Sequence, residues 1–202
     1  MGRYLSSRSR VRFLAAVGAL LLSTAAVRAS TIAAFADPSP DGSLPMFNID
    51  LTGNLITGGW SGGGLLLTTP GIPAPDYPDA TFVITPLSLS GGGPLYTTGP
   101  GSIVFYDKLS NPLLTISFAG GFLTNGLGFG GSDFVGSNVT MTGAILPYPV
   151  SAEAFSFSFA NPTPTANGYT VTSSFTSSAV PEPGSVLLLL AGAAIVLRRA
   201  AR

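Results

Sequence analysis

The side chains of this chain that could do chemistry are carboxylates, hydroxyls and a single amine. Among its 202 residues there is no histidine and no cysteine. A serine–histidine triad, a cysteine–histidine pair and a zinc site built on imidazole or thiolate are therefore all excluded. A serine–lysine dyad would have to use Lys108, which falls in a predicted hairpin turn. Two carboxylates remain able to cleave a glycosidic bond, one held protonated as acid and the other acting as base or nucleophile. Asp76, Asp79, Asp107, Asp133 and Glu153 are the candidates. Most lie beside proline or glycine in predicted loops, where a solvated turn residue is the ordinary reading. Oxygen is the only ligand type available, so calcium (Ca2+) is the ion such a set would suit, from Asp37, Asp41, Asp76 and Asp79. No other cofactor is expected. Gly126-Leu127-Gly128-Phe129-Gly130-Gly131 spells G-x-G-x-x-G, but no helical period follows it, and a dinucleotide site needs that helix. Trp60, Tyr77, Tyr96, Tyr106 and Tyr148 are candidates for stacking on sugar rings, with Trp60 and Tyr77 carried forward as glycan-stacking residues.

The two ends frame these residues. Val180-Pro181-Glu182-Pro183 is followed by an apolar run over 184–197 and then by Arg198, Arg199 and Arg202. Prolines at 181 and 183 remove two backbone donors and hold their neighbours extended, so no helix passes through Glu182. The apolar run spans on the order of 21 Å as helix, short of the roughly 20 residues of a full membrane span. Arginines directly after it act as a cytoplasmic stop, and their snorkelling makes up length. At the other end, Arg3, Arg8, Arg10 and Arg12 precede an apolar stretch over 13–22. Val27-Arg28-Ala29 then offers a small-x-small cleavage site before Ser30, and Ala34-Phe35-Ala36 a second before Asp37.

Together the proline-flanked glutamate, the apolar run and the terminal arginines resemble a PEP-CTERM sorting domain. Ala200 and Ala201 interrupt the basic cluster but leave the motif intact. The resemblance implies an exported bacterial protein, held at the inner membrane by its tail until the membrane protease-transpeptidase exosortase recognises the motif and cuts near it. It also implies association with envelope or extracellular polysaccharide.

Setting the two ends aside changes the charge. Nine basic residues balance nine acidic ones, but only Lys108 lies within 30–179, against eight acids, leaving that segment at −7. Such a surface cannot neutralise phosphates, so no nucleic-acid partner and no anionic-membrane partner is expected. The absence of cysteine leaves the segment without disulfides.

Periodicity in the middle is that of strands. Alternation predicts strands over 46–56, 65–69, 81–84 with 87–89, 102–107, 113–119, 139–145, 154–160 and 169–176. The third should bend or end at Pro86. Phe155, Phe157 and Phe159 fall on one face and suit a core. The expected fold is all-β, an antiparallel β-sandwich or jelly-roll-like ectodomain or partly open barrel, with an N-terminal signal helix and a short C-terminal transmembrane helix. The expected organisation is a signal peptide at 1–29, a β-rich exported domain at 30–172, a Ser/Thr-rich linker at 173–179 and the sorting tail at 180–202. Residues 30–45 are expected as an edge or loose arm. The expected function is that of a non-catalytic cell-envelope or biofilm-matrix protein, structural or exopolysaccharide-associated. A secreted carboxylate-dependent glycan hydrolase is the alternative.

Overall fold

The computed structural model describes residues 29–124 and 132–181. The predicted signal and transmembrane helices, the G-x-G-x-x-G stretch, Glu182, Pro183 and the terminal arginines lie outside the described residues. Within them every regular element is a strand: β1 (Ser30–Phe35), β2 (Phe47–Asp50), β3 (Leu55–Trp60), β4 (Thr81–Gly92), β5 (Leu95–Thr98), β6 (Gly101–Tyr106), β7 (Pro112–Phe118), β8 (Gly120–Thr124), β9 (Ser132–Ser137), β10 (Thr140–Thr142), β11 (Val150–Pro164) and β12 (Gly168–Pro181). All pairings are antiparallel. Eight strands close a circuit, β4–β3–β2–β12–β11–β9–β8–β5 and back to β4. The remaining four are extensions: β6, β7 and β10 continue from the first half of β4, and β1 flanks the second half of β12. The all-β expectation holds, and its closure as an eight-stranded antiparallel barrel is what pairing decides.

Two long strands make closure work. β4 pairs with β6 through Thr81–Ile84 and with β5 through Leu89–Gly92. β12 pairs with β2 through Gly168–Val171 and with β1 through Phe175–Ala179. Each long strand thus belongs to two faces, and the barrel is flattened between them. The inner surface is phenylalanine. Phe155, Phe157 and Phe159 are all buried, as the alternation predicts. Phe157 meets Phe82 of β4 and Phe175 of β12 at ring-centroid distances of 5.9 and 5.0 Å. Phe35 stacks on both Phe82 and Phe175. Each such ring removed from water contributes about 1.5–3 kcal/mol, and offset or edge geometry adds about 0.5–1.5 kcal/mol per pair.

Several predicted boundaries move, each for a local reason. The single strand expected over 46–56 is a hairpin, β2–β3. Asp50 turns the chain by accepting hydrogen bonds from the Thr52 and Gly53 N–H groups at 3.0 and 2.7 Å, and Asn54 takes φ 54°, which asparagine tolerates. β4 runs straight through Pro86. Opposite it the register of β3 shifts between Ile56 and Gly58, so the proline sits in a bulge where no ladder donor is required. Residues 65–69 form no named strand, only the bridges Ala34–Thr68 and Leu67–Tyr77. β5, β8 and β9 have no counterpart in the alternation pattern.

At the flanks, the ordered-edge alternative for residues 30–45 is the one β1 takes beside β12, while the linker expected over 173–179 is a strand. Residues 30–45 begin with a structural strand, since Ile32, Ala33 and Phe35 of β1 are buried. Residues 173–179, expected as a linker, are the middle of β12, paired with β11 on one side and β1 on the other. Their serines suggest flexibility, yet Ser173 and Ser177 point inward at the strand period and are 0% and 1% exposed. Each has a partner: Ser173 Oγ lies 3.3 Å from Met46 Sδ, and Ser177 Oγ donates to the Ala33 carbonyl and accepts from its N–H.

Candidate functional site

Five of the seven acidic candidates brace backbone in turns and loops. Asp37 accepts from the Ser39 N–H at 2.9 Å. Asp41 accepts from the Ser43 N–H at 3.0 Å and from the Ser39 hydroxyl at 3.4 Å. Asp76 holds the Thr69 N–H, and Asp79 holds the Gly64 N–H. Asp107 takes three hydrogen bonds within the β6–β7 turn, from the Leu109 N–H, the Asn111 N–H and Asn111 Nδ2, at 2.8, 2.8 and 2.9 Å. Lys108 is exposed in the same turn, as the predicted hairpin requires.

Two of these carboxylates are shifted, both downward. Asn111, through its side chain first and then its backbone N–H, holds Asp107 below the usual carboxylate range. The Ser43 N–H, followed by its hydroxyl, does the same for Asp41. A general acid in glycoside cleavage needs its pKa raised by burial or by a neighbouring anion. Donors arranged around Asp41 and Asp107 favour the ionised form instead, which suits a brace. Asp133 is an exposed residue of β9, and Glu153 lies at the β11 bulge. Among the described residues no three acidic side chains converge as a cation site.

The aromatic candidates turn mostly inward. Trp60 ends β3 opposite Phe82 and is 7% exposed, so its ring offers no face to a sugar. Its Nε1–H has no hydrogen-bond partner among the described residues. Tyr77 is half-buried, its backbone exchanging hydrogen bonds with Leu67 at 2.9 and 3.0 Å while its side chain leans on the core. Tyr96 and Tyr148 also pack against the core. Tyr106 alternates with buried Phe105 and lies on the outer side of β6.

An exposed aromatic ring does exist, and it is Phe122 on β8, 48% exposed. It pairs laterally with Val135 of β9, itself 42% exposed, and with Thr97 of β5. Sequence reasoning misses it because Phe122 and Leu123 are adjacent, and two neighbouring apolar residues give a period of two no preference. Pairing decides: Leu123 is opposite Phe134 in the core, which sends Phe122 outward.

Of the sorting motif expected from the sequence, Val180 and Pro181 are described. They end β12, in register with Ser151 and Val150 of β11. Ser30, the first residue of β1, pairs with Ala179. The two ends of the described strands are therefore side by side, and Val180 and Pro181 are the last paired residues of β12.

Compared with protein-family models, with curated proteins and with solved structures, the chain matches none.

Proposed function

We propose that this is an exported cell-envelope or extracellular-matrix protein whose C-terminal tail is a sorting signal cut by exosortase, and whose barrel acts without catalysis at the cell surface. The observation that carries the reading is the order of Val180-Pro181-Glu182-Pro183, apolar run and arginines behind a chain that opens with a basic, then apolar, leader. The partners on this reading are the secretion machinery, the inner membrane before processing, exosortase, and exopolysaccharide at the final location. The place of Val180 and Pro181 at the last register positions of β12 supports it, because a motif at a strand end stands beside the fold and not within its core. The acidic braces favour a non-catalytic role for the barrel.

Replacing Pro181, Glu182 and Pro183 together by alanine tests the reading. The variant should accumulate uncut in the inner-membrane fraction, seen as a larger species on immunoblots of fractionated cells. Normal processing and surface delivery of this variant would reject the sorting role.

A further inference from the structure

The outer face of β5, β8, β9, β11 and β12 is made of two register rows. One is Thr97–Phe122–Val135–Ser156–Thr176, and the other is Leu95–Thr124–Asp133–Ser158–Ser174. Adjacent strands stand about 4.8 Å apart, so each row crosses roughly 19 Å of surface. Asp133 is the single charge in the two rows. Phe122, Val135 and Leu95 form the apolar end and are 48%, 42% and 49% exposed. Serines and threonines make up the rest. An aromatic ring and a valine side by side on an exposed sheet are the unusual feature, because outward positions ordinarily carry charge.

From this pattern we propose that the face is a docking surface for an uncharged polysaccharide. The Phe122 ring takes the apolar face of a sugar. Exposed Thr97, Ser158 and Thr176, with the Asp133 carboxylate, bond the hydroxyls at the edges of successive sugars. Charge selects the class of polymer. The rows hold no cation, and the single lysine of the exported segment stands in the β6–β7 turn, on a strand pair outside the face. An anionic polymer would meet Asp133 and a domain at −7. A second copy of the chain brings the same −7 with it. The proposal rests on the matrix reading above and narrows it to neutral glycans and to one face.

Electrophoresis of the full chain in detergent, through gels containing hydroxyethylcellulose (a neutral β-glucan) or alginate (an anionic one), tests it. Retardation by hydroxyethylcellulose and not by alginate is expected. Phe122→Ala should weaken that retardation roughly tenfold, as loss of one stacked ring implies. Val135→Asp, which adds charge beside the ring, should weaken it as well. Val83→Ser, at an exposed position on β4, should leave it unchanged. Melting curves of Phe122→Ala and Val135→Asp should match the parent, since both side chains are half exposed. Hydroxyethylcellulose retardation that survives both changes overturns the face and leaves glycan binding standing. Retardation by alginate alone overturns the neutral class. Retardation by neither polymer overturns the proposal together with the glycan part of the matrix reading. A dimer that Phe122→Ala dissociates, without retardation by hydroxyethylcellulose, assigns the face to self-association instead.

Discussion

Ser177 shows how much a small polar side chain does in this barrel. Its hydroxyl donates to the Ala33 carbonyl at 3.0 Å and accepts from the Ala33 N–H at 3.1 Å, where the β1–β12 register slips between Thr31 and Ala33. Removing it takes two buried hydrogen bonds from the Ala33 backbone, at roughly 0.5–1.5 kcal/mol each, about 1–3 kcal/mol together. Ser177→Ala should lower the stability measured by equilibrium unfolding in denaturant by that amount. The adjacent hydroxyl of Thr176 cannot substitute, because that side chain faces outward. Asp107 acts by charge. Its folded pKa is depressed, so the stability it adds is present above the unfolded value near 3.9 and is lost as pH falls through the folded value. Melting temperature should therefore fall with acid below about pH 4, and Asp107→Asn should flatten part of that fall. An unchanged acid slope in the variant would show that the turn does not depend on the ionised carboxylate.

Among the elements, β1 and β12 stand beside the two proposed processing sites. Cleavage before Ser30 leaves β1 whole. Cleavage before Asp37 would remove Ile32, Ala33 and Phe35, which are 0%, 0% and 4% exposed, and would bare Phe175 beneath them. The strand also covers an edge: Ala34 and Thr68 exchange backbone hydrogen bonds at 2.9 and 2.8 Å, so the outer side of β1 is capped by the 65–72 loop. On the export reading the mature N-terminus should be Ser30, which N-terminal sequencing of the processed protein would check. A chain beginning at Asp37 should be unstable and rapidly degraded; a stable, folded protein starting there would mean that β1 is dispensable.

At the scale of the whole molecule, closure leaves little edge for uncontrolled pairing. Among the described residues ten of the twelve strands have neighbours on both sides, β1 is capped, and β10 is three residues long. One core fills the interior, with Phe157 at its centre. Its ring contacts rings from β1, β2, β4, β9 and β12 as well as both neighbours on its own strand. Phe157→Ala should cost about 3–5 kcal/mol, a large part of the roughly 5–15 kcal/mol that holds a domain folded. Calorimetry should show a melting transition strongly lowered, and all strands should unfold together. Separate transitions for the β6–β7–β10 extension and the barrel would contradict a shared core.

Composition alone determined that histidine and thiol chemistry is closed to this chain and that its middle is acidic, because counting residues needs no geometry. Alternation alone determined that the middle is built of strands and that Phe155, Phe157 and Phe159 face inward, because side chains on a strand must alternate. The proline-flanked motif and its apolar and basic neighbours were likewise legible, being local in the chain. Tertiary pairing decided the rest. It made a barrel strand of a serine-rich segment that reads as a linker, turned Trp60 inward and put Phe122 outside. These outcomes depend on which strands become neighbours, and neighbours such as Ser30 and Ala179 stand about 150 positions apart in the chain. No local pattern encodes a contact of that span; only closing the sheet does.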